Sequence, residues 1–291
     1  MKRNALLSLV LVVALLLVAC TPDATPARST GFTLAATNVY GAEAIPVAYD
    51  VYAQLFALLA DDTAEGFDAD FVMSMVMDTL MDGQSMGGTQ STSTGNMRAN
   101  FDGNTSQSAT IMETVMVMDM LDEPVNMTME MFMETEGDEI TFFRIIMDNE
   151  IFEDPMVTDM LDSMPNMSIP EITMDAILSA EVAEMGNETH ISITLDAAFM
   201  SDFVDEMVGS MLGDMMDAMG MDMEMDIDYI SFVIELDSEN NLSRLIMDMD
   251  ISIGMEIDLG FGDPMEFLIT AASTTIYTYN YIGNVTIVMP E

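Results

Sequence analysis

Three stretches of this chain set sulfur and carboxylate groups in alternation: MTMEMFMETE (127–136), MDMEMDID (221–228) and LIMDMDISIGMEIDLG (245–260). The chain holds 36 methionines, and thioethers are soft ligands suited to Cu(I). Met-x-Met spacing recurs at Met73/Met75/Met77, Met127/Met129/Met131/Met133 and Met221/Met223/Met225. On a strand, alternate residues stand about 7 Å apart. Neighbouring sulfurs of one strand therefore do not share a metal, and a copper site needs sulfurs converging from several strands. The intervening rows Asp226/Asp228 and Asp248/Asp250 offer hard oxygen donors that would collect Ca²⁺ or Mg²⁺ weakly, but the spacing of an EF-hand loop is not met. Nucleophilic catalysis has little to draw on. His190 in THISITL is the one histidine and Cys20 the one cysteine, with no nucleophile-elbow motif to accompany them. Carboxylates are too abundant for any pair to stand out as a general acid and base. The expectation is a chain without catalytic residues, resident metal or cofactor.

The alternation has a simpler reading as the two faces of strands. Leu245, Met247, Met249, Ile251, Ile253, Met255, Ile257 and Leu259 are all odd and apolar, while Asp248, Asp250, Ser252, Glu256 and Asp258 are even and polar. Ile and Leu alternate freely with Met along that face, as a greasy sheet surface allows and a metal tract does not. In MDMEMDID the parity holds through Ile227 and reverses by Ile230, Phe232 and Ile234. One inserted residue, a β-bulge, would produce that reversal, as would a helix-to-strand junction.

The positioning elements follow from periodicity. Val47, Val51, Leu55, Leu58 and Leu59 after Pro46 predict a helix over 46–62. Phe67 to Met77 predicts a strand. MDGQSMGGTQSTSTGN (81–96) reads as a polar, Gly-rich loop or a marginal edge hairpin. Strands are expected at about 97–103, 109–121 and 125–136, with two more before Pro155. A hairpin turning at Gly186-Asn187 follows. A second helix is expected over 199–219, where Phe203, Val204, Met207, Met211 and Met215 share a stripe. Three strands close the chain, and NVTIVMP could add a short last one. Met is unbranched and adapts to irregular partners. Met73, Met75, Met77, Met129, Met131, Met247, Met249 and Ile251 on the sheet, with Phe203, Met207, Met211 and Met215 on the second helix, are accordingly the candidate lining of an apolar-ligand cavity. The competing readings are a filled core in an acidic structural or adhesive surface protein, and Cu(I) buffering by clustered methionines.

Charge and the N-terminus bound the surroundings. There are 51 acidic residues against 6 basic ones, a formal charge of −45. With 50% hydrophobic residues the chain is nonetheless rich enough to fold. A surface this negative excludes nucleic acid as a partner and repels anionic headgroups. Lys2 and Arg3 precede the apolar run ALLSLVLVVALLLVA, of signal-peptide rather than membrane-spanning length. The run ends in Leu17-Val18-Ala19-Cys20, which resembles the lipobox of bacterial lipoproteins. That resemblance implies cleavage before Cys20 and attachment to the membrane through a diacylglyceryl cysteine, with residues 1–19 as signal peptide. Two acyl chains anchor stably where one is marginal. Residues 20–45, rich in Thr, Ala and Pro, read as a tether, leaving 46–291 as the folded domain on the extracytoplasmic face.

The closing segment ISFVIELDSENNLSRLIMDMDISIGMEI…ASTTIYTYNYIGNVTIVMP resembles the end of uncharacterised envelope lipoproteins of Gram-positive bacteria, similar to the LolA/LppX-like superfamily. The resemblance covers about residues 46–291. It implies an α+β fold, an open, curved antiparallel half-barrel with two main amphipathic helices on its concave side. It also implies a non-enzymatic protein that carries a lipid or other apolar molecule between the sheet and the 199–219 helix.

Overall fold

The computed structural model describes residues 32–60, 66–102, 105–119, 123–136, 139–148, 150–152, 172–198, 221–257, 265–283 and 285–290. These residues form one helix, α1 (Ile45–Ala60), and twelve strands: β1 (Val39–Tyr40), β2 (Gly66–Met81), β3 (Gln84–Asp102), β4 (Thr105–Met118), β5 (Val125–Glu136), β6 (Glu139–Met147), β7 (Glu150–Phe152), β8 (Ile177–Met185), β9 (Glu188–Leu195), β10 (Met221–Leu236), β11 (Leu242–Ile257) and β12 (Met265–Ile282). All twelve belong to one sheet in the order β1-β8-β9-β10-β11-β12-β2-β3-β4-β5-β6-β7. Every pairing is antiparallel. The sheet is open, because the end strands β1 and β7 do not pair with each other. Two meanders, β2–β7 and β8–β12, meet at a seam where β12 pairs with β2 from Phe267↔Met81 to Ile282↔Phe67.

Helix α1 begins where the sequence predicts. Pro46 lies in its first turn, where no amide partner is needed. Val47, Ala48, Val51 and Leu55 are buried, an i, i+1, i+4, i+8 stripe that packs on β8 and β9. Tyr52 on its flank meets Phe232 of β10 with ring centroids 6.2 Å apart. Beneath it Val182, Ile191, Ile193, Leu195, Ile234 and Leu236 are almost wholly excluded from solvent. Each such side chain contributes about 1.5–3 kcal/mol through burial.

The parity reversal of β10 is a register shift between Ile227 and Tyr229. Ile227 and Ile230 are thereby both buried although their numbers differ in parity. The hairpin of β8 and β9 turns on Gly186-Asn187 as expected, with Gly186 at φ 74°.

Three expectations need correction. The stretch 81–96 is not a loop or an edge hairpin: Asp82 and Gly83, at φ 49° and 72°, form a two-residue turn, and the remainder runs into the interior strand β3. Positive φ at both turn positions matches the twist of the flanking strands. β3 is held from both sides by long ladders to β2 and β4, so tertiary pairing overrides its weak local signal. With that strand added and one helix among the described residues, the fold is mostly β rather than α+β. The third correction is at the C-terminus: residues 285–290, within NVTIVMP, carry no strand. The expected helix over 199–219, including Phe203, Met207, Met211 and Met215, lies outside the described residues, as do Leu17, Val18, Ala19 and Cys20.

Candidate functional site

The register places all eight sheet residues expected to line a cavity on one face. Across β11, β12, β2, β3 and β4 the rows run Ile251–Ala271–Met77–Thr89–Met118, Met249–Ser273–Met75–Ser91–Met116 and Met247–Thr275–Met73–Ser93–Thr114. The next row, Leu245–Tyr277–Phe71–Gly95–Met112, continues through Met129 of β5 to Met147 of β6. Met131 stands one row further, between Thr110 and Ile145. Met75, Met129, Met131 and Ile251 are buried, and Met73, Met77, Met247 and Met249 are partly exposed. This face belongs to the same apolar cluster as the underside of α1.

The methionines do not form one unbroken patch. Between those of β11 and β2 stand Ser273 and Thr275; between those of β2 and β5 stand Ser91, Ser93 and Thr114. Ser91, Ser93, Thr114 and Thr275 are all buried. The Ser93 and Thr114 hydroxyls hydrogen-bond each other at 2.8 Å, and Ser273 donates to the Met249 carbonyl at 3.3 Å. Thr275 Oγ1 is buried with no hydrogen-bond partner. A buried, unpaired hydroxyl costs stability in its own right. Reading the sequence by hydrophobic period missed this hydroxyl band, because Ser and Thr do not register as a buried face. The available signal was the odd parity of Ser91 and Ser93, in phase with Met73, Met75 and Met77 once strands are paired. Gly95 closes the same strand: a Cβ there would strike the Ile111 carbonyl oxygen and stand 2.9 Å from the Phe71 ring. The missing side chain lets Phe71 lie across β3.

Charge on this face is confined to its margins. From β11 to β6 these rows hold no Asp, Glu, Lys or Arg; Glu150 of β7, opposite Met147, and Glu184 of β8, opposite Thr189, stand towards the two ends of the sheet. Arg98, Arg144 and Arg244, the arginines among the described residues, all sit at registers of the opposite face, as does His190. There His190 lies 3.6 Å from both Glu188 and Glu235, and Arg244 Nη1 donates to Glu235 at 3.0 Å. Their ligand atoms are close enough to hold a metal ion, but the guanidinium already compensates the buried Glu235 carboxylate. Nearer the seam, Asn280 and Asn96 each donate at 3.0 Å to Asp70. Those bonds, Asn280's foremost, hold the Asp70 carboxyl below its ordinary range. The backbone amide of Asn241 does the same for Asp237 in the β10–β11 turn.

No protein-family model and no curated protein matches the chain. Among solved structures, the sheet has a distant similarity to lipovitellin, studied for its lipid–protein interactions. The match has 6% identity and a TM-score of 0.28 over 78% of this chain and 26% of that one. OccK2 (OpdF) of Pseudomonas aeruginosa, solved with glucuronate, is similar at 7% identity and TM-score 0.19, over 73% of this chain and 63% of that one. The chain spans about a quarter of the lipovitellin chain.

Proposed function

We propose that this chain is a membrane-anchored envelope lipoprotein that holds a lipid or other apolar ligand against the methionine-rich face of its sheet, without catalysis. The observation that carries the reading is the gathering of Met73, Met75, Met77, Met129, Met131, Met247, Met249 and Ile251 on one face. Unbranched thioether side chains repack around flexible acyl chains, and the partly exposed Met73, Met77, Met247 and Met249 offer apolar area to a ligand. In this reading the sheet curls as a half-barrel, and diacylated Cys20 holds the protein at the extracytoplasmic surface. The acidic opposite face gathers Ca²⁺ or Mg²⁺ loosely. Native mass spectrometry of the protein purified from its membrane, followed by organic extraction, tests it: co-purified lipid is expected. A lipid-free protein with a filled interior would instead identify a structural surface protein. Substituting Cys20→Ala is expected to release the protein from the membrane fraction, and an unchanged distribution would remove the anchor.

A second reading has an observation of its own. Met112, Met129 and Met147 occupy directly opposed positions on β4, β5 and β6, the cross-strand convergence that a Cu(I) site requires. Cu(I) titration under reducing conditions, against Met129→Leu, decides it. Equal uptake by both proteins would dismiss this row as a metal site.

A further inference from the structure

We infer that the hydroxyl band of the core face, Ser91, Ser93, Thr114 and Thr275, is the subsite for the polar group of a neutral amphiphile of glyceride type, whose chains lie on the flanking methionines. The inference rests on the apolar-ligand reading above and specifies its ligand.

Three observations converge on it. Thr275 Oγ1 is 2% exposed and unpartnered, and its register between Met247 and Met73 sets it on the methionine face. A hydroxyl in that position both donates and accepts, so an ester carbonyl or an alcohol of a ligand would relieve it. The Ser93–Thr114 pair lies in the same row, two and three strands away, about 10–14 Å at the usual strand spacing. That distance suits a head bearing several oxygens rather than a single terminal group. Ser91 extends the band by one row. Finally, the rows around the band hold neither an arginine nor any other charge from β11 to β6, while the chain as a whole carries −45. A carboxylate or phosphate brought here would be desolvated without a counter-ion, which is prohibitive. Neutral esters and alcohols lose only hydrogen bonds to water and regain them from the band. A pure hydrocarbon would leave the Thr275 hydroxyl unsatisfied.

The experiment delivers labelled dioleoylglycerol, oleate at pH 8 and squalene from cyclodextrin to the delipidated full chain. Dioleoylglycerol is expected to bind at least tenfold more tightly than either of the others. Thr275→Val and the double variant Ser93→Ala/Thr114→Val are each expected to cut that advantage about three- to tenfold, with squalene binding unchanged. Thr275→Ser, which keeps a hydroxyl, should restore most of it and shows that the loss is not a folding defect. Squalene bound as tightly as dioleoylglycerol, or an advantage intact in Thr275→Val, would overturn the subsite while leaving the apolar-ligand reading in place. Tighter binding of oleate would overturn the neutral-head requirement. Failure of all three probes to bind would end both readings.

Discussion

The two halves of the core face are built from different side chains. Under α1, strands β8 to β10 present Val182, Ile191, Ile193, Leu195, Ile234 and Leu236, all nearly sealed from solvent. Across the seam, β2 to β5 present Met73, Met77, Ser91, Ser93, Met112, Thr114 and Met129, of which Met73 and Met77 are partly exposed and the rest buried. β-Branched side chains have few rotamers and pack into one arrangement. Methionine has three flexible torsions and packs into many. The first half is a core that specifies the fold. The second is a surface suited to repacking.

The sharpest test of that difference is truncation against replacement. Ile234→Ala is expected to lose about 2–5 kcal/mol of stability through the cavity it leaves, whereas Met131→Leu should lose less than about 1.5 kcal/mol. Denaturant midpoints would read both, and equal losses would erase the distinction. Next in size is Arg244→Ala, which strips the buried Glu235 of its guanidinium. A loss of about 1–3 kcal/mol is expected, partly recovered by adding Glu235→Gln; no recovery would show that the arginine acts through packing alone. In the methionine half the sign reverses. Thr275→Val removes an unpartnered hydroxyl and should raise the stability of ligand-free protein by about 1 kcal/mol, even as it weakens ligand binding. Destabilisation would mean that the hydroxyl is satisfied.

The smallest effect lies on the opposite face. Asn280→Ala should let the Asp70 titration, followed by NMR, rise toward the ordinary aspartate range. Because the folded value is depressed, the contribution is present above the ordinary range and lost as pH falls through the folded value. The variant should therefore be less stable at neutral pH, by no more than a few tenths of a kcal/mol at so exposed a site. The gap should close in acid. A titration unmoved by the substitution would assign the shift to Asn96 instead.

Much of the sheet was legible in the sequence because burial and pleat share a period of two. β11, the parity reversal of β10 and the β8–β9 hairpin all follow from parity or turn chemistry alone, while the choice between a bulge and a helix-to-strand junction in β10 needed the register. β3 was not legible. In TQSTSTGN both faces are small and polar, so neither period nor propensity marks a strand, and its place is dictated by β2 and β4. The candidate site divides in the same way. The methionines announced their face by apolar alternation. The hydroxyls between them became visible only when register set Thr275 and Ser93 in one row, since cross-strand neighbours are a property of pairing that no single strand encodes.

The seam has a consequence for synthesis. Asn280 and Asp68 hydrogen-bond across it although 212 positions separate them in the chain. A polypeptide delivered N-terminus first presents the outer ladder of β2 long before β12 exists to meet it. Such distant pairing slows assembly, and an open strand edge invites the wrong neighbour meanwhile. A nascent chain stalled short of Met265 would hold two separate ribbons instead of one sheet, so guarding that edge is the task of whatever attends the protein during synthesis.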